Sequence, residues 1–189
     1  MKSILFVLAS LFCLCSHATL KTVDDINLKK YQGTWHQLAA VPASFQRDCA
    51  SDTRADYSLL EDGLIKVINS CKKNNGKIKS SEARGRINPD FNSPGKLEVT
   101  FVKLIKWIWA FSGDYWITYL DPNYQYVVVG HPEYKYGWIL ARNQTLSKKT
   151  YSQLEKIIGA RGYDSCAFLM STTSKQHFKQ STPLCEYVK

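Results

Sequence analysis

Gly33-Thr34-Trp35 opens an apolar run, His36 to Phe45, directly after a short polar segment from Asn27 to Gln32. Its reading decides the fold because of a second stretch over a hundred residues later, Trp138-Ile139-Leu140-Ala141-Arg142. Side chains alternate along a strand, so residues 138, 140 and 142 share a face. An indole at the bottom of a closed sheet needs a cover. An arginine from a neighbouring strand supplies one by stacking, worth roughly 0.5–2 kcal/mol when desolvated. On this reading Trp35 and Arg142 plug one end of a β-barrel whose other end is open. The competing reading is an ordinary buried tryptophan and an unrelated surface arginine.

Working outward, strand signals recur at short intervals. The Trp35 strand ends at Val41-Pro42, because proline cannot donate to a ladder, and a polar loop spans Ser44 to Arg54. Tyr57 to Leu60 and Leu64 to Ser70 flank the tight turn Glu61-Asp62-Gly63. Further strands are expected over Ile78 to Ile87, Lys96 to Val102, Tyr115 to Leu120, Tyr124 to Val129 and Tyr136 to Arg142. Eight consecutive strands with turn residues between them predict a sandwich or barrel. One turn of helix is expected near Leu28 to Tyr31. A longer helix starts at the N-cap Ser147, places Tyr151, Leu154, Ile157 and Ile158 on one face, and stops at Gly162. A last strand is expected near Ala167 to Thr173.

Residues 1–18 read as a secretory signal peptide: Lys2, an apolar core from Ile4 to Leu14, then Ser16-His17-Ala18. The core is too short to span a bilayer. No lipidation box precedes Cys13 or Cys15, so no lipid anchor is expected. The barrel domain is assigned to residues 19–173, with a tail over 174–189 tied down by a disulfide. Cys49, Cys71, Cys166 and Cys185 remain, an even number that predicts two disulfides in an exported chain. Three connectivities are open. Folding the hairpin at Asp62 brings Cys71 opposite the segment after Cys49, which favours Cys49–Cys71 and leaves Cys166–Cys185.

The formal charge is +9. The basic residues are scattered, with no compact basic helix, so nucleic acid is not expected as a partner. Most read as a solvated surface; attraction to anionic lipid head groups is the alternative. The segment Lys103 to Phe111 is unusual. Leu104, Ile105, Trp107, Ile108 and Trp109 sit where polar turn residues belong, and tryptophan with basic residues favours a membrane interface. The competing reading is that the strands run longer and bury these residues.

In order and spacing the chain resembles the lipocalins, specifically the branch of bacterial outer-membrane-associated lipocalins and apolipoprotein D. The resemblance rests on Gly33-Thr34-Trp35, Tyr57-Ser58-Leu59, Val67-Ile68-Asn69, Lys96-Leu97-Glu98-Val99, Gly113-Asp114-Tyr115-Trp116 and Trp138 to Arg142. It covers residues 27 to 173. It implies an all-β fold, an eight-stranded antiparallel up-and-down β-barrel with one flanking C-terminal α-helix and a ligand cavity. There are departures. The signature Thr-Asp-Tyr survives only as Leu120-Asp121-Pro122, and Ala83-Arg84-Gly85 stands for Gly-x-Ala. Apolipoprotein D-like chains imply the crossed pairing Cys49–Cys185 and Cys71–Cys166, against the hairpin argument.

An eight-stranded barrel holds one small ligand. Alternation turns Trp138 and Leu140 inward; the resemblance adds Tyr57, Val67, Asn69, Val99, Phe101 and Tyr115. This mostly apolar set with a few polar tips suits a fatty acid or lysophospholipid. The expected function is transport or storage of such a ligand, with peripheral membrane contact through the Lys103 to Phe111 loop. An enzyme is not expected: His36, His131 and His177 are isolated and no hydrolase, zinc or paired-carboxylate pattern appears. No cofactor or metal is expected. The alternatives are an isomerase using a cavity thiol, which the even cysteine count disfavours, and a ligand-free interaction or inhibitor module. The location follows the leader: periplasm or outer membrane in a bacterium, secretion otherwise. Asn143-Gln144-Thr145 is a glycosylation sequon in a eukaryotic secretory pathway.

Overall fold

Strand Gly33–Ala40 (β1) is engaged along both edges, and this closes the sheet. Its first half pairs with Ser51–Leu59 (β2), from Gly33 opposite Tyr57 to His36 opposite Arg54. Its second half pairs with Gly137–Ala141 (β8), from His36 opposite Ala141 to Ala40 opposite Trp138. A register shift between Gln37 and Ala39 lets one strand serve both neighbours. The computed structural model describes residues 19–179 and 181–189. The leader expected at residues 1–18 lies outside the described residues.

Between these strands the chain runs up and down through Ile65–Lys72 (β3), Ile78–Ile87 (β4), Lys96–Thr100 (β5), Gly113–Leu120 (β6) and Tyr126–Gly130 (β7), each antiparallel to the last. The result is a closed eight-strand antiparallel barrel. A two-residue strand, Leu169–Met170 (β9), adds to β1 on the outside. The helix Leu28–Tyr31 (α1), capped by Asn27, leads into β1. The helix Lys148–Ala160 (α2) begins at Ser147, whose hydroxyl accepts from the Thr150 N–H, and ends before Gly162 at φ 89°.

The alternation of each strand divides the apolar residues into two sets. The inward set, around Trp35, Val67, Leu97, Ile117, Val127 and Val129, fills the barrel near α1. The outward set, including Leu38, Val128 and Ile139, packs under Tyr151, Leu154 and Ile158 of α2 and under Phe168 and Leu184. Cys49 is bonded to Cys71 and Cys166 to Cys185, the hairpin pairing rather than the crossed one.

Several boundaries differ from expectation. β2 begins at Ser51, inside the expected polar loop, because Ser51 pairs with Lys72 beside the Cys49–Cys71 bond. β5 stops at Thr100 rather than Val102. The Thr100 hydroxyl donates to the Ile108 carbonyl (2.8 Å) and accepts from the Val102 N–H (3.2 Å), which turns the chain into its loop. The strand expected over 167–173 shrinks to β9, because residues 165–167 form a 3₁₀ turn and the Ser171 N–H bonds Leu38. The tail carries a further short helix, Leu184–Tyr187 (α3), with Leu184 and Cys185 buried.

Candidate ligand-binding site

The site is the barrel lumen, and it is built in layers from the closed end. The outermost layer is the plug. The Arg142 guanidinium lies 3.9 Å from the centroid of the Trp35 ring. It donates to three carbonyls: Lys30 (2.8 Å), Thr34 (3.0 Å) and Tyr124 (3.3 Å). It thus ties α1, β1 and the β6–β7 turn together. Trp35 is fully buried, and its indole N–H donates to the Tyr31 carbonyl at 2.8 Å.

The second layer is a tyrosine floor. Tyr31 comes from α1, Tyr57 from β2 and Tyr115 from β6. The Tyr115 hydroxyl sits 2.8 Å from that of Tyr31 and 2.9 Å from that of Tyr57. Their rings pack with Trp35 as one aromatic group, the Tyr31 and Trp35 centroids 4.9 Å apart. Burial pushes the Tyr57 phenol up to about 12, and pushes Tyr31 and Tyr115 well above the usual tyrosine range. All three stay neutral in any physiological medium.

Above the floor the wall is apolar and increasingly open. Val67 faces Ala83 across β3 and β4, and Gly85 stands beside Val99. Val67 and Leu140 are buried, whereas Val99, Tyr115, Trp138 and Asn69 are half-buried although they lie on inward positions. Trp138 stacks on Tyr136 near the mouth, and its N–H points to the Gln46 side chain at 3.5 Å.

The structure therefore brings Tyr57, Val67, Val99, Tyr115, Trp138 and Leu140 into one cluster, with Asn69 two positions beyond Val67 on the same face. Phe101 departs from expectation: it lies past the end of β5, 50% exposed, because of the turn at Thr100. Tyr31 is the floor residue that sequence reasoning passed over. It stood in a segment read only as a helical turn, and nothing local marks it as facing the lumen.

The loop between β5 and β6 leans over the outer wall. Arg84 stacks on Trp107 at 4.8 Å and Arg86 on Trp109 at 4.1 Å. Arg86 also pairs with the buried Glu98 (2.6 Å), which accepts a second bond from Ser112. The tryptophans and Ile108 are thus half-buried. The free apolar tip is Leu104 (76% exposed) and Ile105 (97% exposed), flanked by Lys103 and Lys106, with Phe111 beside them. Phe45, from the β1–β2 loop, and Ile78, the first residue of β4, extend exposed apolar surface around the same end.

A Lipocalin-like family model matches residues 26–173, a span that contains the plug, the floor and every wall strand. The chain belongs to the lipocalin family. Temperature-induced lipocalin-1 of Arabidopsis thaliana is 36% identical over 148 residues, covering 77% of this chain and 78% of that protein. The outer membrane lipoprotein Blc of Vibrio cholerae is 29% identical, covering 87% and 95%. Apolipoprotein D of Macaca fascicularis is 31% identical, covering 75% and 74%. The bacterial and apolipoprotein D relatives are those the sequence resemblance pointed to. Lipocalins as a family bind small hydrophobic ligands, and the lumen of this lipocalin has the apolar wall such ligands need.

Proposed function

We propose that this lipocalin is an exported carrier that holds a single-chain amphiphile, a fatty acid or lysophospholipid, in its lumen and exchanges it at an anionic membrane surface. One observation carries the reading. Inward-facing Val99 and Trp138 are only half-buried above the fully buried Trp35, so part of the inward apolar face is left uncovered by the chain's own packing. A ligand that covers it gains the burial energy, about 25 cal/mol per Å². The lysines at the mouth end, Lys72, Lys73, Lys77, Lys79, Lys103 and Lys106, suit a charged head group there and a membrane bearing the same charge. The apolar tip at Leu104 and Ile105 suits insertion to the depth of the head groups.

The carrier reading is tested by native mass spectrometry with lipid extraction of the purified protein, followed by titration with a long-chain fatty acid. One equivalent of bound acyl lipid is expected; a barrel that neither retains nor takes up any sinks the reading. Membrane exchange is tested separately with Leu104→Asp/Ile105→Asp on vesicles of mixed neutral and anionic phospholipid. Binding should fall at least about tenfold, since each charge replaces a residue of the inserted tip. Unaltered partitioning would remove the tip from the account.

A further inference from the structure

The barrel wall is notched beside β1. β1 and β2 stay paired only as far as His36 opposite Arg54. Beyond that point the start of β2 turns to the tail instead. The Asp52 N–H donates to the Thr172 carbonyl (3.0 Å), and the Ser174 N–H and hydroxyl both donate to the Asp52 carboxylate. Ala39 and Ala40 meanwhile pair with β9. A cavity of about 270 Å³ lies in the gap, lined by Gln37, Thr53, the β1–β2 loop and residues 169–172. It borders the lumen. Gln37 pairs with inward-facing Leu140, and the Trp138 indole N–H points at Gln46, another lining residue.

The walls of the notch are fixed. The buried Gln37 amide donates to the Ser171 hydroxyl (2.9 Å) and accepts from the Gln46 amide (2.8 Å), which ties tail, strand and loop together. The loop is held further by the Cys49–Cys71 bond and a 3₁₀ turn at Ser44–Gln46. The charge of the notch has one sign. Arg47 and Lys179 line it and no carboxylate does. Neither cation's side chain has a hydrogen bond or ion pair among the described residues. The carboxylates on the flanking segments are engaged: Asp48 pairs with Lys73 and Lys79, and Asp52 accepts from Ser51 and Ser174. Two unpaired cations in a concave site attract an anion. The volume sets its size. Pockets for whole drug-sized ligands run from roughly 300 to 1,000 Å³, so this one suits a head group rather than an acyl chain.

We infer that the notch is a head-group subsite for an anionic oxygen group, a carboxylate or a phosphate, held by Arg47 and Lys179 while the acyl chain lies in the lumen past Trp138. This rests on the carrier reading and narrows it. The ligand's charge is bound at one side of the mouth, between β1 and the tail, rather than by the mouth lysines at large.

The test uses three lipids of equal chain length on the disulfide-intact protein: a fatty acid, the lysophosphatidic acid and the neutral monoacylglycerol. Their affinities are measured by calorimetry for the wild type, for Arg47→Gln/Lys179→Gln, and for Lys148→Gln/Lys149→Gln, which removes the same charge from α2. Arg47 and Lys179 are exposed, so their replacement should leave the fold intact. The notch variant should lose about tenfold for at least one anionic lipid, the sum of two partly exposed ion contacts, and hold the monoacylglycerol as the wild type does. The anion with the larger loss identifies carboxylate or phosphate as the group bound. Three results overturn the inference and leave the carrier intact: unchanged affinities, an equal loss for all three lipids, or an equal loss in the α2 variant. A wild type that takes up only the neutral lipid does the same. Failure of all three lipids to bind the wild type overturns both.

Discussion

Arg142 covers the Trp35 ring at 3.9 Å while its guanidinium bonds the carbonyls of Lys30, Thr34 and Tyr124. The contact is therefore a closure rather than a surface ornament. Each partner lies on a different segment, and removing the arginine takes its donor from all three at once. Arg142→Ala should cost about 2–4 kcal/mol in urea denaturation, from a cation–π contact and several charge-assisted hydrogen bonds. Arg142→Lys should recover less than half, because an ammonium cannot reach three carbonyls while lying flat on a ring. A loss under about 1 kcal/mol for the alanine variant would show that the end is held by other contacts.

Two glycines on the barrel separate a clashing position from one where a methyl fits at ordinary contact distance. A Cβ on Gly137 would meet the Phe168 ring at 2.5 Å, between β8 and the outer core. Gly137→Ala should destabilise by about 1–3 kcal/mol, the usual cost of overpacking. A Cβ on Gly85 would find its nearest neighbour, a Val99 methyl, at 3.5 Å. Gly85→Ala should stay within about 1 kcal/mol of wild type. Chemical denaturation of both variants checks the contrast.

Thiol titration reports two things at once. Unfolded without reductant, Cys49, Cys71, Cys166 and Cys185 should give no signal. Any thiol counted then comes from Cys13 and Cys15 and reports that residues 1–18 are still attached. Each disulfide closes a loop near twenty residues, with separations of 22 and 19. Replacing either pair by serine should cost about 3 kcal/mol on the chain-entropy account.

Acid should weaken the fold through His36. Burial, then the neighbouring Arg54, lowers its pKa below the usual histidine value. The unfolded chain therefore takes up this proton first, and stability falls as pH drops through the unfolded value near ~6.5. His36→Asn should flatten the stability profile between about pH 7 and 5. An unchanged slope would assign the titration elsewhere.

Alkali should act through the floor. With Tyr57 raised to about 12, and Tyr31 and Tyr115 well above the usual range, the folded chain keeps these protons after the unfolded chain has lost them. Stability should fall as pH rises past about 10, where free phenols ionise. Ultraviolet titration should show these phenols ionising only together with unfolding.

The parts of the fold legible in the sequence were those encoded locally or by alternation. Arg142 could be set on the face of Trp138 and Leu140 because strand periodicity is two. Cys49–Cys71 could be favoured because the Asp62 turn fixes which segments meet. The Arg84–Trp107 and Arg86–Trp109 stacks could not be read, since they depend on a loop folding across a strand fifteen or more residues earlier. Thr100 ended β5 early by a side-chain bond to Ile108 that no propensity encodes, and that bond also moved Phe101 out of the lumen. Tyr31 was missed for a related reason: it reaches the lumen from outside the strands, so alternation says nothing about it.

The double engagement of β1 has a consequence for biogenesis. Its second seam joins residues near 37 to residues near 140, so the barrel cannot shut until almost the whole wall has left the ribosome. Until then the nascent sheet keeps two bare edges, the arrangement most prone to pair with a neighbouring chain. A copy truncated before Gly137 would never lose those edges, and it should accumulate as aggregate rather than as a smaller folded barrel.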